Sequence, residues 1–257
     1  MSLIKSDEDI KAMREGGKIL SQALMAAIKA VQPGVFIGEL DKIAENFLRE
    51  AGAVPSFKGY RSSKNDPAFP STLCVSIGPE VVHGTANRKI KLKEGDIVSL
   101  DIGCEYKGRF TDMAVTVPVG KISSEAEKLM SVTRDSLFAG VRAVKPKGDV
   151  RDISAAVENY VKPHGYGIVT SLVGHGVGHA VHESPHIPNY THPRQPSVPL
   201  KPGMCLAIEP MIAMGSGELI TADDGWTAIT EDESLAAHFE VTVVVTKNGH
   251  EILTPLP

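Results

Sequence analysis

Ile97-Val98-Ser99-Leu100-Asp101-Ile102-Gly103 and Thr111-Asp112-Met113-Ala114-Val115-Thr116-Val117 decide the fold. Both are rich in β-branched and apolar residues, and a turn near Tyr106-Lys107-Gly108-Arg109 separates them. They read as two strands of one hairpin. A tight turn at 106–107 sets Asp101 directly opposite Asp112, and a turn one residue later makes them diagonal neighbours. Either register leaves both acids on one face. Like charges so placed are destabilising unless something offsets them, and a divalent cation does so. Two exposed acids on a solvated ribbon are the plainer alternative. The apolar flanks Leu100, Ile102, Ala114 and Val115 argue against it.

Outward from this hairpin the chain repeats itself. Ser6-Asp7-Glu8-Asp9 forms a capping box with acids in the first turn. Ile10, Met13, Leu20, Leu24, Ile28 and Val31 follow at helical spacing. A second helix is expected from about Gly38 to Ala51, ended by Gly52. Ser124-Glu125-Ala126-Glu127 reads as another capping box, opening a helix to about Val144, and a further helix runs from about Asp149 to Val161. Val31-Gln32-Pro33 matches Val144-Lys145-Pro146. Leu92-Lys93-Glu94-Gly95, ahead of Leu100-Asp101, matches Leu200-Lys201-Pro202-Gly203, ahead of Ile208-Glu209. Two matches in the same order predict an α+β fold of two pseudo-symmetric helix-helix-strand-strand halves, about 6–118 and 124–246, within a single domain over 1–257. Asp101 and Glu209 then occupy equivalent places, facing one another near the axis.

Two more acids sit in apolar, strand-like runs: Glu209 in Cys205-Leu206-Ala207-Ile208-Glu209-Pro210-Met211, and Glu240 in Phe239-Glu240-Val241-Thr242-Val243. Either alone is explained by a structural ion pair. Four acids in such surroundings are more economically explained by a shared metal site, because an unpaired buried carboxylate is costly. In Gly174-His175-Gly176-Val177-Gly178-His179-Ala180-Val181-His182-Glu183-Ser184-Pro185, His175 and His179 have the spacing of a helical zinc pair. Three glycines in five residues oppose a helix, so a glycine loop presenting His175 is expected, with His182 further along. His83, in Val81-Val82-His83-Gly84, is another candidate. His164, His186, His192, His238 and His250 are assigned structural roles. Four carboxylates and one imidazole suit two hard or borderline divalent ions such as Mn, Fe(II), Co or Zn.

The composition narrows the partners. A net charge of −4 without a basic block makes nucleic acid and anionic membrane poor partners. No apolar run is long enough to span a bilayer. Cys74, Cys104 and Cys205 are scattered and odd in number, which fits a reducing, cytoplasmic setting.

These motifs resemble those of type I methionine aminopeptidases, of the duplicated "pita-bread" fold. The resemblance covers nearly the whole chain: Val-Val-His-Gly at 81–84, Leu-Asp-Ile-Gly at 100–103 with Thr-Asp at 111–112, Gly-His-Gly-Val-Gly at 174–178, His-Glu-Ser-Pro at 182–185, Ile-Glu-Pro-Met at 208–211 and Phe-Glu-Val-Thr at 239–242. The resemblance implies that Asp101 chelates one ion, Asp112 and Glu240 bridge two, and His175 and Glu209 complete the set. It implies Glu209 as general base, His182 on the scissile carbonyl and His83 near the scissile amide. It also implies a methionine pocket of Phe57, Tyr60, Phe69, Cys74 and Trp226, where an unbranched thioether meets aromatic walls and a thiol. The implied reaction is removal of the initiator methionine ahead of a small second residue. The implied partners are the N-termini of nascent polypeptides and the ribosome that presents them, with the enzyme a cytoplasmic monomer. Departures are a longer polar stretch at 61–68, Phe57 and Val181 in place of commoner residues, and His179 where arginine is frequent. The rivals are an Xaa-Pro aminopeptidase of the same fold and a non-catalytic, peptide-binding relative. Xaa-Pro enzymes usually carry an extra N-terminal domain, and non-catalytic relatives lose ligands that all stand here.

Overall fold

A computed structural model describes residues 2–61, 63 and 67–257. Residues 62 and 64–66 of the polar stretch at 61–68 lie outside the described residues. Helix α1 (Asp7–Lys29) starts at Ser6, whose side chain accepts from the Asp9 backbone while the Asp9 side chain accepts from that of Ser6. Helix α2 is Ile37–Glu50. Helix α3 (Ser124–Ala143) corrects the expected cap: Ser123, not Ser124, accepts from the Ala126 amide. Both serines suit the role, and the chain is still extended at Ser123. Helix α4 (Val150–Val161) opens on a capping box between Asp149 and Asp152.

The main sheet is antiparallel throughout. Its order is Val54–Pro55, Ile97–Tyr106, Arg109–Pro118, Glu240–Val245, Cys205–Ile208, Gly174–Gly176 and Glu183–Ile187. Leu73–Ile77 adds to Ile97–Tyr106, and His250–Ile252 to Glu240–Val245. Side chains alternate between faces along each strand. Leu100, Ile102, Met113, Val115, Leu206, Ile208, Val241 and Val243 all enter one hydrophobic core. Leu20 and Leu24 of α1, Leu40 and Leu48 of α2, Leu129 and Leu137 of α3, and Ile153 and Val157 of α4 close over it. Burial at about 25 cal/mol per Å² of apolar surface drives this arrangement. The residues next to these core positions along each strand must face the other way, and they include Asp101, Asp112 and Glu240.

Tyr106 pairs with Arg109, so the hairpin turns on Lys107-Gly108. Both residues have positive φ, +52° and +75°, as a two-residue type I′ turn requires. This selects the later of the two turns: Asp101 pairs with Ala114, and Asp112 with Gly103, leaving the acids diagonal.

Candidate metal and substrate site

Strand register alone gathers the acids. Cys74 pairs with Asp101, Asp101 with Ala114 and Ala114 with Glu240, so one row crosses four strands on the face away from the helices. Asp112 lies two residues along from Ala114, on the same face. Val241 pairs with Ile208, so Glu209 is the next residue beside Glu240. His175 pairs with Ala207, two residues before Glu209, and shares that face too. Asp101, Asp112 and Glu240 each offer an oxygen within 4.8 Å of the others, and His175, Glu209 and Glu240 do the same. His175 Nε2 lies 3.3 Å from Glu209 Oε1.

The expected glycine loop at His175 is instead a short strand, Gly174–Gly176. Its glycines answer to space. A Cβ on Gly174 would lie 2.5 Å from the Ala207 carbonyl oxygen, and one on Gly176 would lie 2.0 Å from that of Ser184. Flanking strands therefore close tightly on both sides of His175. His83 has φ +59°, an uncommon conformation for a residue with a side chain, and projects into the same cavity.

The cavity, of about 300 Å³, is lined by all five metal-ligand candidates, by His83 and His182, and by Phe57, Tyr60, Phe69, Cys74 and Trp226. Phe57, Phe69, Cys74 and Val181 form one buried apolar cluster, with Tyr60 and Trp226 packed on it. Phe69 and Trp226 meet edge to face, their centroids 5.3 Å apart. His182 Nδ1 lies 3.1 Å from the Tyr60 hydroxyl, and its ring meets that of His175 edge to face at 4.5 Å. His182 reaches solvent at the mouth, whereas His175 is buried.

Two histidines assigned structural roles also line this cavity, His186 and His238. For His238 the reason is non-local: Ala236–His238 pairs with Met211–Ala213, so His238 stands opposite Met211. Its Nε2 comes within 3.5 Å of Glu209 Oε2. The one local signal is its place two residues before Glu240, on the same strand alternation.

Burial pushes Asp101 up to about 7, helped by the charge of Glu209 and opposed by His238. Burial pushes Glu209 up to about 8. Burial and the neighbouring acids push Asp112 and Glu240 well above the carboxylate range. Desolvation brings His175 down to about 3 and His83 to about 4, so both are neutral at pH 7. Oδ1 of Asp101, Oδ1 of Asp112 and Oε1 of Glu240 are buried with no hydrogen-bond partner among the described residues. The cavity lining contains no lysine or arginine among those residues. Orphaned carboxylate oxygens without a protein cation are what a divalent ion would satisfy, so the donor set fits a metal.

The metallopeptidase family M24 model matches residues 10–247. A methionine aminopeptidase from Clostridium acetobutylicum is 45% identical over 255 residues, covering 99% of each chain. The chain belongs to the methionine aminopeptidases of family M24. The crystal structure of the Thermotoga maritima methionine aminopeptidase superposes with a TM-score of 0.92 at 39% identity, covering 98% of each chain. The prolidase from Pyrococcus furiosus matches with a TM-score of 0.79 at 25% identity, over 99% of this chain but 66% of its own. The fold is therefore the α+β pita-bread fold. Membership in a metallopeptidase family carries dependence on divalent metal. Among the described residues, no helix is long and apolar enough to cross a membrane.

Proposed function

We infer that this protein is a methionyl aminopeptidase that removes the initiator methionine from new polypeptides with a small second residue. The observation that carries the reading is the single cavity that joins five buried metal-ligand candidates to an aromatic and thiol-lined slot. Residues on both sides of α3 and α4 line it, which supports one catalytic domain over 1–257 with the site between its halves.

Asp101, Asp112, His175, Glu209 and Glu240 would hold two divalent ions from the set Mn, Fe(II), Co and Zn. Two of the three clusters of donor atoms share Glu240 and, with oxygen predominating, support that number and that set; the third joins His182 to Asp112 and His175. When bound, the metals supply Lewis-acid polarisation and a nucleophilic water at neutral pH. The chain's own residues supply the rest. Phe57, Tyr60, Phe69, Cys74 and Trp226 receive the methionine side chain. Burial and the Asp101 charge push the Cys74 thiol well up, so it meets the thioether as an uncharged group. His182 Nδ1 and the Tyr60 hydroxyl share a hydrogen bond; in the tautomer that accepts from Tyr60, Nε2–H is left to donate to the scissile carbonyl and to the oxyanion that develops there. Glu209, which a bound divalent ion would keep ionised, takes a proton from the attacking water with its carboxylate. As the C–N bond breaks, that proton passes to the leaving amine, against which neutral His83 stands. A free α-amine beside the acids limits attack to the first residue. Three buried, free cysteines agree with a cytoplasmic setting.

The test is release of methionine from Met-Ala-Ser by metal-loaded protein, beside Xaa-Pro tripeptides and a chelated control. Preference for Xaa-Pro would overturn the methionine assignment. Methionine release that chelator leaves untouched would overturn the metal site.

A further inference from the structure

His182 lines the cavity, but its neighbour Glu183 does not. Glu183 opens the Glu183–Ile187 strand and its carboxylate meets the ammonium of Lys5. The pair is buried, with 1% of the lysine side chain and 9% of the glutamate exposed. The lysine comes from far away in sequence and is firmly held. Its amide donates to the Gly203 carbonyl at 2.8 Å, and Ile4 bridges to Met204, just ahead of the strand that leads to Glu209. Its stem then runs against the backbone of Gly178. A Cβ on Gly178 would come within 2.5 Å of Lys5 Cε and 3.1 Å of Met13 Sδ. The Gly178 carbonyl in turn accepts from Phe110, on the Asp112 strand, at 2.9 Å. His179 fills the remaining side, 3.8 Å from Glu183 and 3.7 Å from Asp9.

A buried ion pair adds little net stability, because desolvation offsets much of its attraction, whereas removing one partner is strongly destabilising. What such a pair supplies is a fixed geometry. Here one end is bonded to the residue after His182, and the other is clamped to the chain entering the Glu209 strand. We propose that Lys5 is a positioning residue: through Glu183 it fixes the His182 backbone, and so the distance of the His182 ring from the site of water attack. This rests on the aminopeptidase reading above.

The experiment compares wild type, Lys5→Met, the double variant Lys5→Met/Glu183→Leu, and Arg14→Met as control. Arg14 also ties α1 to the body, but through a half-exposed pair with Glu251. Measured are kcat and KM on Met-Ala-Ser, bound metal, and Tm. Lys5→Met is expected to lower kcat about 10²-fold, the scale of an ångström misplacement, with KM and bound metal little changed. The double variant removes both charges, so Tm recovers while kcat stays low. Arg14→Met behaves as wild type. Unchanged kcat in Lys5→Met, or recovery of kcat together with Tm in the double variant, would show that the pair is structural only and overturn the proposal. If Lys5→Met fails to fold, the double variant alone decides between these outcomes. A wild type that releases no methionine removes the peptidase reading first, and the positioning role falls with it.

Discussion

Stripping the metal should make stability fall with rising pH, and the structure sets the window and the sign. Asp101, Asp112, Glu209 and Glu240 have folded-state pKa values above their unfolded ones. The folded state therefore holds protons that the unfolded state has released. Stability from this source is complete below the unfolded pKa and is lost as pH rises towards the folded values. His83 and His175 act in the opposite sense: their depressed values, about 4 and about 3, make stability rise with pH from those values up to about 6.5. The two effects oppose each other below 6.5, so the clean window is pH 6.5 to 8.0. There Glu209, at about 8, stays protonated in the fold while the unfolded chain is ionised. That difference of about 1.5 pH units corresponds to ~2 kcal/mol. Asp112 and Glu240 lie well above the usual range and contribute in the same direction. For a chain of this length ~2 kcal/mol is about 4–8 °C in Tm. The assay is thermal denaturation in chelator at pH 6.5, 7.0, 7.5 and 8.0, with a parallel series in saturating Mn. Chelated protein should lose at least that many degrees across the window, and the Mn series should stay nearly flat. A flat or rising Tm in chelator, or an equal slope in both series, would refute the account of the acids as buried and lacking a cation.

Three further outcomes follow from the same site. His182→Ala should leave folding and bound metal intact while kcat on Met-Ala-Ser falls about 10²–10³-fold, as for loss of an oxyanion donor; loss of metal would instead make His182 a ligand. Glu240→Gln should lower bound metal, as judged by elemental analysis, yet raise the Tm of chelated protein at pH 8, because it removes a carboxyl that the fold must keep protonated while the unfolded chain is ionised. Trp226→Ala should cut kcat/KM for a methionine peptide by about tenfold or more without changing bound metal, since it opens the wall facing Phe69; unchanged kcat/KM would take Trp226 out of the pocket.

Local chemistry made part of this legible in the sequence. Ser6 and Asp9 cap a helix because their spacing permits it and nothing distant competes. The alternation around Asp101 shows two strands, but Lys107-Gly108 lacks the Asn-Gly signature of a type I′ turn, so two registers remained open until the pairing of Tyr106 with Arg109 closed one. At Gly174 and Gly176 propensity misleads. Glycine disfavours strands, yet a strand forms because the Ala207 and Ser184 carbonyls approach too closely for any side chain. His238 stands alone in sequence, where a histidine is more often structural than catalytic, and only pairing with Met211–Ala213 brings it to Glu209. Phe57 is the converse case. Nothing beside it in sequence separates pocket from core, and its burial with Phe69, Cys74 and Val181 makes it both.

Two of the places where this fold buries carboxylates differ in one respect that bears on what each is for. Behind His182 the chain supplies its own cation: Lys5 reaches Glu183, and Gly178 leaves room for its stem. In the cavity four acids converge, the nearby imidazoles are held neutral by burial, and no lysine or arginine lines the wall among the described residues. Sequences tend to agree with their folds at every level except where function requires a conflict. A chain that threads a lysine under a glycine to pair one oxygen of Glu183 sets no such cation among the cavity acids, where Oδ1 of Asp101, Oδ1 of Asp112 and Oε1 of Glu240 have no hydrogen-bond partner among the described residues. A lysine there would satisfy the acids but would also occupy the space and the charge that a divalent ion and the substrate amine require. The donor set is therefore one that a divalent ion would complete, and the four acids hold their positions because the sheet register, rather than mutual attraction, sets them side by side.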